Sequence, residues 1–142
     1  MNDTKQYCTF FVADLFFGVD VREVQEVIRY QEMTAVPLSP PEIGGLINLR
    51  GQIVTAVDLR RRLKMPARKA GQQPMNVVVR NEECAVSLLV DEIGDVLQPE
   101  DGAYEGPPET LDGVARELIR GVYKLKDRLL LILDTATAVA PS

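Results

Sequence analysis

Leu46-Ile47-Asn48-Leu49-Arg50-Gly51-Gln52-Ile53-Val54-Thr55-Ala56-Val57-Asp58-Leu59 is the stretch that decides the fold. Two short runs of apolar and β-branched residues, 46–50 and 53–57, flank Gly51-Gln52. Arms of strand length around a glycine read as a β-hairpin, because the glycine supplies the backbone conformation a tight turn requires. Asp58 follows in position to cap a helical turn or two over 59–63, its carboxylate accepting from the first free amides. A similar unit recurs late in the chain, where Leu129-Leu130-Leu131-Ile132-Leu133 runs into Asp134-Thr135. The recurrence is of a supersecondary unit, not of a sequence repeat.

Working outward from the hairpin, the same vocabulary continues. Residues 7–13 are rich in aromatic and β-branched types and read as a strand, with a turn at Asp14-Leu15 and a return arm at 16–19. Asp20 with Glu23 three residues on has capping-box spacing, and the helix is short because 27–30 resumes strand character. Residues 37–41, Pro-Leu-Ser-Pro-Pro, form an irregular connector before Gly44-Gly45. Residues 65–74 hold Pro66, Gly71 and Pro74 without an apolar period and read as a linker. Beyond it, 75–80 and 84–90 form a strand pair, 93–97 a further strand, 99–117 a long exposed loop, and 118–125 with 129–133 a last hairpin. Asp134 then caps a weak terminal helix.

Nine or ten short strands in 142 residues leave no room for repeated α/β crossovers, each of which needs a dozen residues or more. The expected fold is all-β with a few short helices, built as two small barrels in one domain over 7–142. The first barrel takes 7–64 plus the strand region 129–139, the second takes 75–125, and 65–74 joins them.

Composition narrows the function. Hydrophobic residues make up 46% and charged residues 26%, so the chain folds without needing a staple. Cys8 and Cys84 are the only cysteines, too few and too far apart for a disulfide scaffold, and are expected to be buried reduced thiols. The start of the chain is polar, and the densest apolar run, 129–133, is far too short to span a bilayer. A cytoplasmic protein is therefore expected. Net charge is −5, unevenly spread: 82–117 carry eleven acids and one base, whereas 58–69 carry six bases and one acid. These read either as differently solvated surfaces or as docking faces of opposite sign.

Chemistry is scarce. The chain has no histidine, which removes the usual general base, the Ser-His and Cys-His nucleophile systems and the commonest metal ligand. No phosphate loop or metal-ligand spacing is present, and no cofactor is expected. Asp91, Glu92 and Asp95 are the one carboxylate group that acid–base catalysis could draw on, and they read more simply as solvated acids at a strand end. Arg60-Arg61-Arg62, with Lys64, offers a nucleic-acid patch, but no aromatic is interleaved for base stacking; a solvated or protein-docking helix is the plainer reading. Asn48, Arg50 and Gly51 at the hairpin tip sit among Leu46, Ile47 and Leu49, either as an ordinary solvated turn or as an arginine anchor for a protein partner.

Several segments, in order, resemble the CheW family of chemotaxis coupling proteins. They are Gly18-Val19-Asp20-Val21 with Val24-Gln25-Glu26-Val27, the hairpin from Gly45 through Asn48-Leu49-Arg50-Gly51 to Asp58-Leu59-Arg60, Val90-Asp91-Glu92-Ile93-Gly94-Asp95-Val96-Leu97, and Leu118-Ile119-Arg120-Gly121-Val122 with Leu131-Ile132-Leu133-Asp134. The resemblance implies two five-stranded SH3-like barrels around a shared apolar core. It also implies a non-catalytic cytoplasmic adaptor between chemoreceptor signalling tips and the regulatory domain of the histidine kinase CheA, with other CheW-like domains as further neighbours in receptor arrays. By position it assigns Val24 and Glu26 to the kinase contact, Asn48 and Arg50 to receptor and kinase coupling, and Val96 to the groove that takes the receptor tip. The residues alone leave Val24 and Val96 open as core positions. A non-chemotaxis scaffold, such as one serving pilus motility, remains the rival within the same fold.

Overall fold

The computed structural model describes residues 5–66, 68–69, 71–80, 85–99, 104–106 and 117–139. Its strands are β1 (Tyr7–Val12), β2 (Leu15–Asp20), β3 (Val24–Ile28), β4 (Ile43–Leu49), β5 (Gln52–Asp58), β6 (Met75–Arg80), β7 (Ala85–Val90), β8 (Glu92–Leu97), β9 (Tyr104–Glu105), β10 (Ile119–Lys124) and β11 (Leu129–Leu133). A 3-10 turn, Val21–Glu23, links β2 to β3; helix α1 (Leu59–Arg62) follows β5; a last short helix spans Thr135–Val139. All three anticipated aspartate caps form: the side chains of Asp20, Asp58 and Asp134 accept the amides of Arg22, Arg60 and Thr137.

The strands make two sheets. One has six strands in the order β8-β1-β2-β11-β10-β9, the other five in the order β3-β6-β7-β5-β4. The chain beyond β3 returns to bridge Thr34 to Leu46 of β4, so the two edges of the five-stranded sheet are tied together. Gly45 faces that bridge at φ +150°, where a Cβ would lie 2.8 Å from the Thr34 carbonyl oxygen.

All-β architecture with a few short helices is what the sequence leads one to expect; the strand membership differs. The chain crosses between sheets twice, at Asp20–Val24 and at Asp91, so β3 to β7 form one contiguous sheet inserted into the other. Residues 7–20 therefore sit with 92–133, not with 24–64, and the segment 65–74 joins strands of the same sheet. The cause is long-range pairing without a local signal: β2 lies parallel to β11, and β5 parallel to β7. The sixth strand of the larger sheet, β9, lies inside the stretch read as loop.

A shared core explains the unbroken apolar runs. Val77 and Val79 face a cluster that also holds Phe10, Phe17, Leu131 and Leu133, while Val78 faces Ile47 and Val54 inside the smaller sheet. In β11, Leu131 and Leu133 join the shared core, and Leu130 and Ile132 pack with Tyr7, Phe16 and Tyr123. Strands buried on both faces lose the alternation of a half-exposed strand. At about 25 cal/mol per Å² of apolar surface, this two-sided burial is the main stabilising term of the fold.

Candidate functional site

Glu26 owes its position to an irregularity in β3. Val24 pairs with Val79 and Glu26 with Val78, so Gln25 is an extra, bulged residue. Val24 packs on the shared core, and the bulge turns Glu26 to the opposite, half-buried face, where Ile28 packs on the smaller cluster. Its side chain is only 18% exposed. A carboxylate so placed needs a cation, and Arg50 supplies it, donating through Nη2 to Glu26 Oε2.

Arg50 reaches Glu26 because of the turn that carries it. Arg50 and Gly51 both have positive φ, +52° and +89°, the two-residue type I′ geometry that matches strand twist. Arginine is costlier than Asn or Gly at the first of these positions. Asn48 holds the turn in place, its side-chain oxygen accepting from the Gly51 amide at 2.8 Å. Ile53, opposite Asn48 in the hairpin, is 61% exposed, and Val27 beside Glu26 is also exposed. The tip thus combines a half-buried acid, a mostly exposed arginine and uncovered apolar side chains.

Of the residues singled out from sequence, Glu26, Asn48 and Arg50 come together at this tip. Val24 does not present itself there; it is half-buried against the shared core. Val96 lies in the other sheet, on edge strand β8 opposite Cys8, and is 56% exposed, which removes the core reading for it. Cys8 is a free, half-buried thiol, pushed up in pKa by burial and then by Asp20; Cys84 lies outside the described residues. Six of the eleven acids of the stretch 82–117 also lie outside them.

The other charged candidates have structural work. Asp91 is not a solvated acid: its side chain is 6% exposed and accepts from Arg60 Nε and Nη2, the latter at 2.6 Å. Arg68, from the segment read as a linker, bonds both oxygens of Asp58 and stands 2.9 Å from Asp91. Burial pushes the Asp91 carboxyl up, but the Arg60 bond, the Ala13 amide and the charges of Arg68 and Arg60 outweigh it and leave the group below its ordinary range. A carboxylate so held is a poor general acid or base. Arg62 donates to the carbonyls of Thr137 and Ala138, and Arg61 to that of Pro41. All three consecutive arginines are therefore bonded within the fold, which leaves no continuous basic face for a nucleic-acid backbone. Sequence reasoning missed this network because its partners are 31 and 10 residues apart.

Among the described residues no cluster of His, Cys, Asp and Glu suits a metal ion, and no helix is long and apolar enough to cross a membrane. A cleft of about 280 Å³ opens beside the first crossover, lined by Tyr7, Tyr104 and Tyr123 with Asp20, Glu23 and Arg120 among others.

Comparison with known proteins agrees with this architecture. The chain is 30% identical over 125 residues to the chemotaxis protein CheW of Bacillus subtilis, covering 88% of this chain and 80% of that one. It is 26% identical over 139 residues to the CheW of Treponema pallidum, covering 94% and 82%. The crystal structure of the scaffolding protein TtCheW from Thermoanaerobacter tengcongensis superposes with a TM-score of 0.83 at 27% identity, over 92% of this chain and 89% of that one. The pattern of the CheW-like domain matches residues 6–140, and the chain belongs to that family.

Proposed function

We propose that this chain is a non-catalytic chemotaxis adaptor, working in the cytoplasm, that couples chemoreceptor signalling tips to the regulatory domain of a CheA-type histidine kinase. The observation that carries the reading is the hairpin tip, where Arg50 is held in a left-handed turn over a half-buried Glu26 beside exposed Ile53 and Val27. A strained turn that displays an arginine among uncovered apolar side chains fits an interface anchor better than a fold element. Glu26 and Arg50 take the kinase contact, with Asn48 fixing the turn; Val24 supports β3 from beneath. Val96, exposed on the β8 edge, takes the apolar face of a receptor helix. The adaptor transmits a signal only through contacts whose affinity differs between kinase states.

Titration calorimetry against a CheA-type regulatory domain tests this. Saturable one-to-one binding is expected, weakened tenfold or more by Glu26→Lys and less by Arg50→Ala, at about 1.4 kcal/mol per tenfold. Binding unchanged by Glu26→Lys removes the tip from the kinase contact. Absence of binding in the unaltered chain sinks the coupling role and moves the protein to a scaffold of another pathway.

A further inference from the structure

In the cleft beside the first crossover the acids are already bonded and the bases are not. Asp20 accepts from Arg22 at 2.8 Å, and Glu23 from the Thr135 hydroxyl at 2.6 Å. Arg120 stands 3.9 Å from Glu23 and 3.8 Å from Asp134, beyond hydrogen-bond reach of both. Lys5, exposed and lining the same cleft, makes no ion pair among the described residues. The inner wall is formed by Tyr7 and Tyr123, 4% and 6% exposed, whose hydroxyls meet each other at 3.4 Å. In such a pair one hydroxyl donates and the other accepts, so one phenolic proton is left without an acceptor among the described residues. A buried donor left unmet costs free energy. Burial, and then the bond with Tyr123, push the Tyr7 phenol far up, so it stays protonated and able to donate. Tyr104, edge-on to Tyr123 at 4.9 Å, adds an aromatic face, and Ile132 and Leu133 add apolar surface. Tyr104 lies across Gly121, where a Cβ would collide with its phenol.

We propose that this cleft is a binding site for a small organic carboxylate with an apolar body the size of one ring. Its volume, about 280 Å³, lies at the small end of ligand pockets, which run from about 300 to 1,000 Å³. Arg120 takes the carboxylate. It is the extra residue of a bulge, since Ile119 pairs with Leu133 and Gly121 with Ile132, and its side chain lines the cleft together with that of Tyr123. Its long, exposed pairs hold it weakly, so a better acceptor draws it away at little cost. The unmet phenolic proton bonds the second carboxylate oxygen, Lys5 adds charge, and the apolar body lies against Tyr104 and Ile132. A cation would face the same rings, but it would meet two unbonded bases and an unmet donor. Asp20 and Glu23 belong to the crossover that leads into β3 and Glu26, so an occupied cleft ties that crossover to β1 and β10. The proposal does not depend on the adaptor reading.

A titration of the full chain followed by amide NMR tests it, with benzoate and hexanoate as probes and benzyl alcohol, benzylamine and inorganic phosphate beside them. Saturable shifts at the Tyr7, Glu23, Arg120 and Tyr123 amides are expected with at least one carboxylate at millimolar concentration. The neutral, cationic and inorganic probes are expected to bind at least tenfold more weakly. Arg120→Gln weakens carboxylate binding tenfold or more. Replacing both phenols, Tyr7→Phe with Tyr123→Phe, also weakens it, with the Tm unchanged or raised, because no unmet group is left behind. A pair of tyrosines that served packing alone would leave binding unchanged in that variant. Saturation by neither carboxylate, equal binding of benzyl alcohol, benzylamine or phosphate, or undiminished binding in Arg120→Gln or in the double variant overturns the proposal.

Discussion

The two places where the chain passes between sheets are held by the same chemistry at different depths. At the second crossover Asp91 is met by Arg60 at 2.6 Å and Arg68 at 2.9 Å, all three side chains at most 14% exposed. Its amide bonds the Phe11 carbonyl, and its carboxylate takes the Ala13 amide, so β7, the β1–β2 turn, α1 and the 65–74 segment meet on one residue. At the first crossover Arg120 lies 3.9 Å from Glu23 and 3.8 Å from Asp134, and it is 47% exposed. The short bonds there are Thr135 to Glu23 at 2.6 Å and the local pair of Asp20 with Arg22 at 2.8 Å, whose arginine is 76% exposed. Coulomb attraction is strong where water is excluded and weak where it is not. The first crossover, which leads into β3 and the hairpin-tip glutamate, is therefore the more yielding of the two.

The sharpest way to break this contrast is to remove Asp91. Asp91→Ala leaves the buried Arg60 without its carboxylate and Arg68 with Asp58 alone, a loss of about 3–5 kcal/mol. Urea unfolding is expected to show the midpoint falling accordingly, and a change under 1 kcal/mol would mean that water already reaches the network. Arg68→Met is expected to cost less, about 2 kcal/mol, because Asp58 keeps Arg61 nearby and its cap on α1 while Asp91 keeps Arg60.

Acid sharpens the comparison further. The folded Asp91 titrates below its unfolded value of about 3.9, so it contributes stability above that pH and loses it as pH falls through the folded value. The gap in urea midpoint between the unaltered protein and Asp91→Asn should be widest at neutral pH and narrow below about pH 4. A gap independent of pH would show that the charge of Asp91 is not what its neighbours read. Asp20 shifts in the same direction, chiefly through its bond from Arg22, so some acid dependence persists in the variant.

Legibility in the sequence followed the range of the interaction. β6 and β11 begin and end where 75–80 and 129–133 place them, because β-branched and aliphatic runs between turn residues are local signals. The caps at Asp20 and Asp58 are equally local. Sheet membership is not, because the parallel pairs β2–β11 and β5–β7 rest on surface buried between distant segments. The three arginines 60–62 look alike in the sequence, yet one is buried on Asp91, one reaches a connector and one binds the last helix. The hairpin tip was half legible: Gly51 marks the turn and the Asn-Leu-Arg-Gly run marks the family, but the pairing of Arg50 with Glu26 spans 24 residues and appears only in the fold.

The smallest expected effect is the most informative about the first crossover. Arg120→Ala removes both long contacts to Glu23 and Asp134 without leaving a charge buried, and exposed pairs of this kind contribute about 0–1 kcal/mol. Global stability should therefore stay within about 1 kcal/mol, and 0.5 M salt should erase what difference remains. Local opening is where the change should appear, since regions held by exposed pairs open at free energies well below that of global unfolding. Amide exchange is expected to speed up at Val21, whose amide bonds the Gln6 carbonyl, and at Asp134, bonded to that of Leu118, while Asp91 keeps its protection. Equal acceleration at all three amides would show that the crossovers yield together, and the asymmetry drawn from their ion pairs would then have no dynamic counterpart.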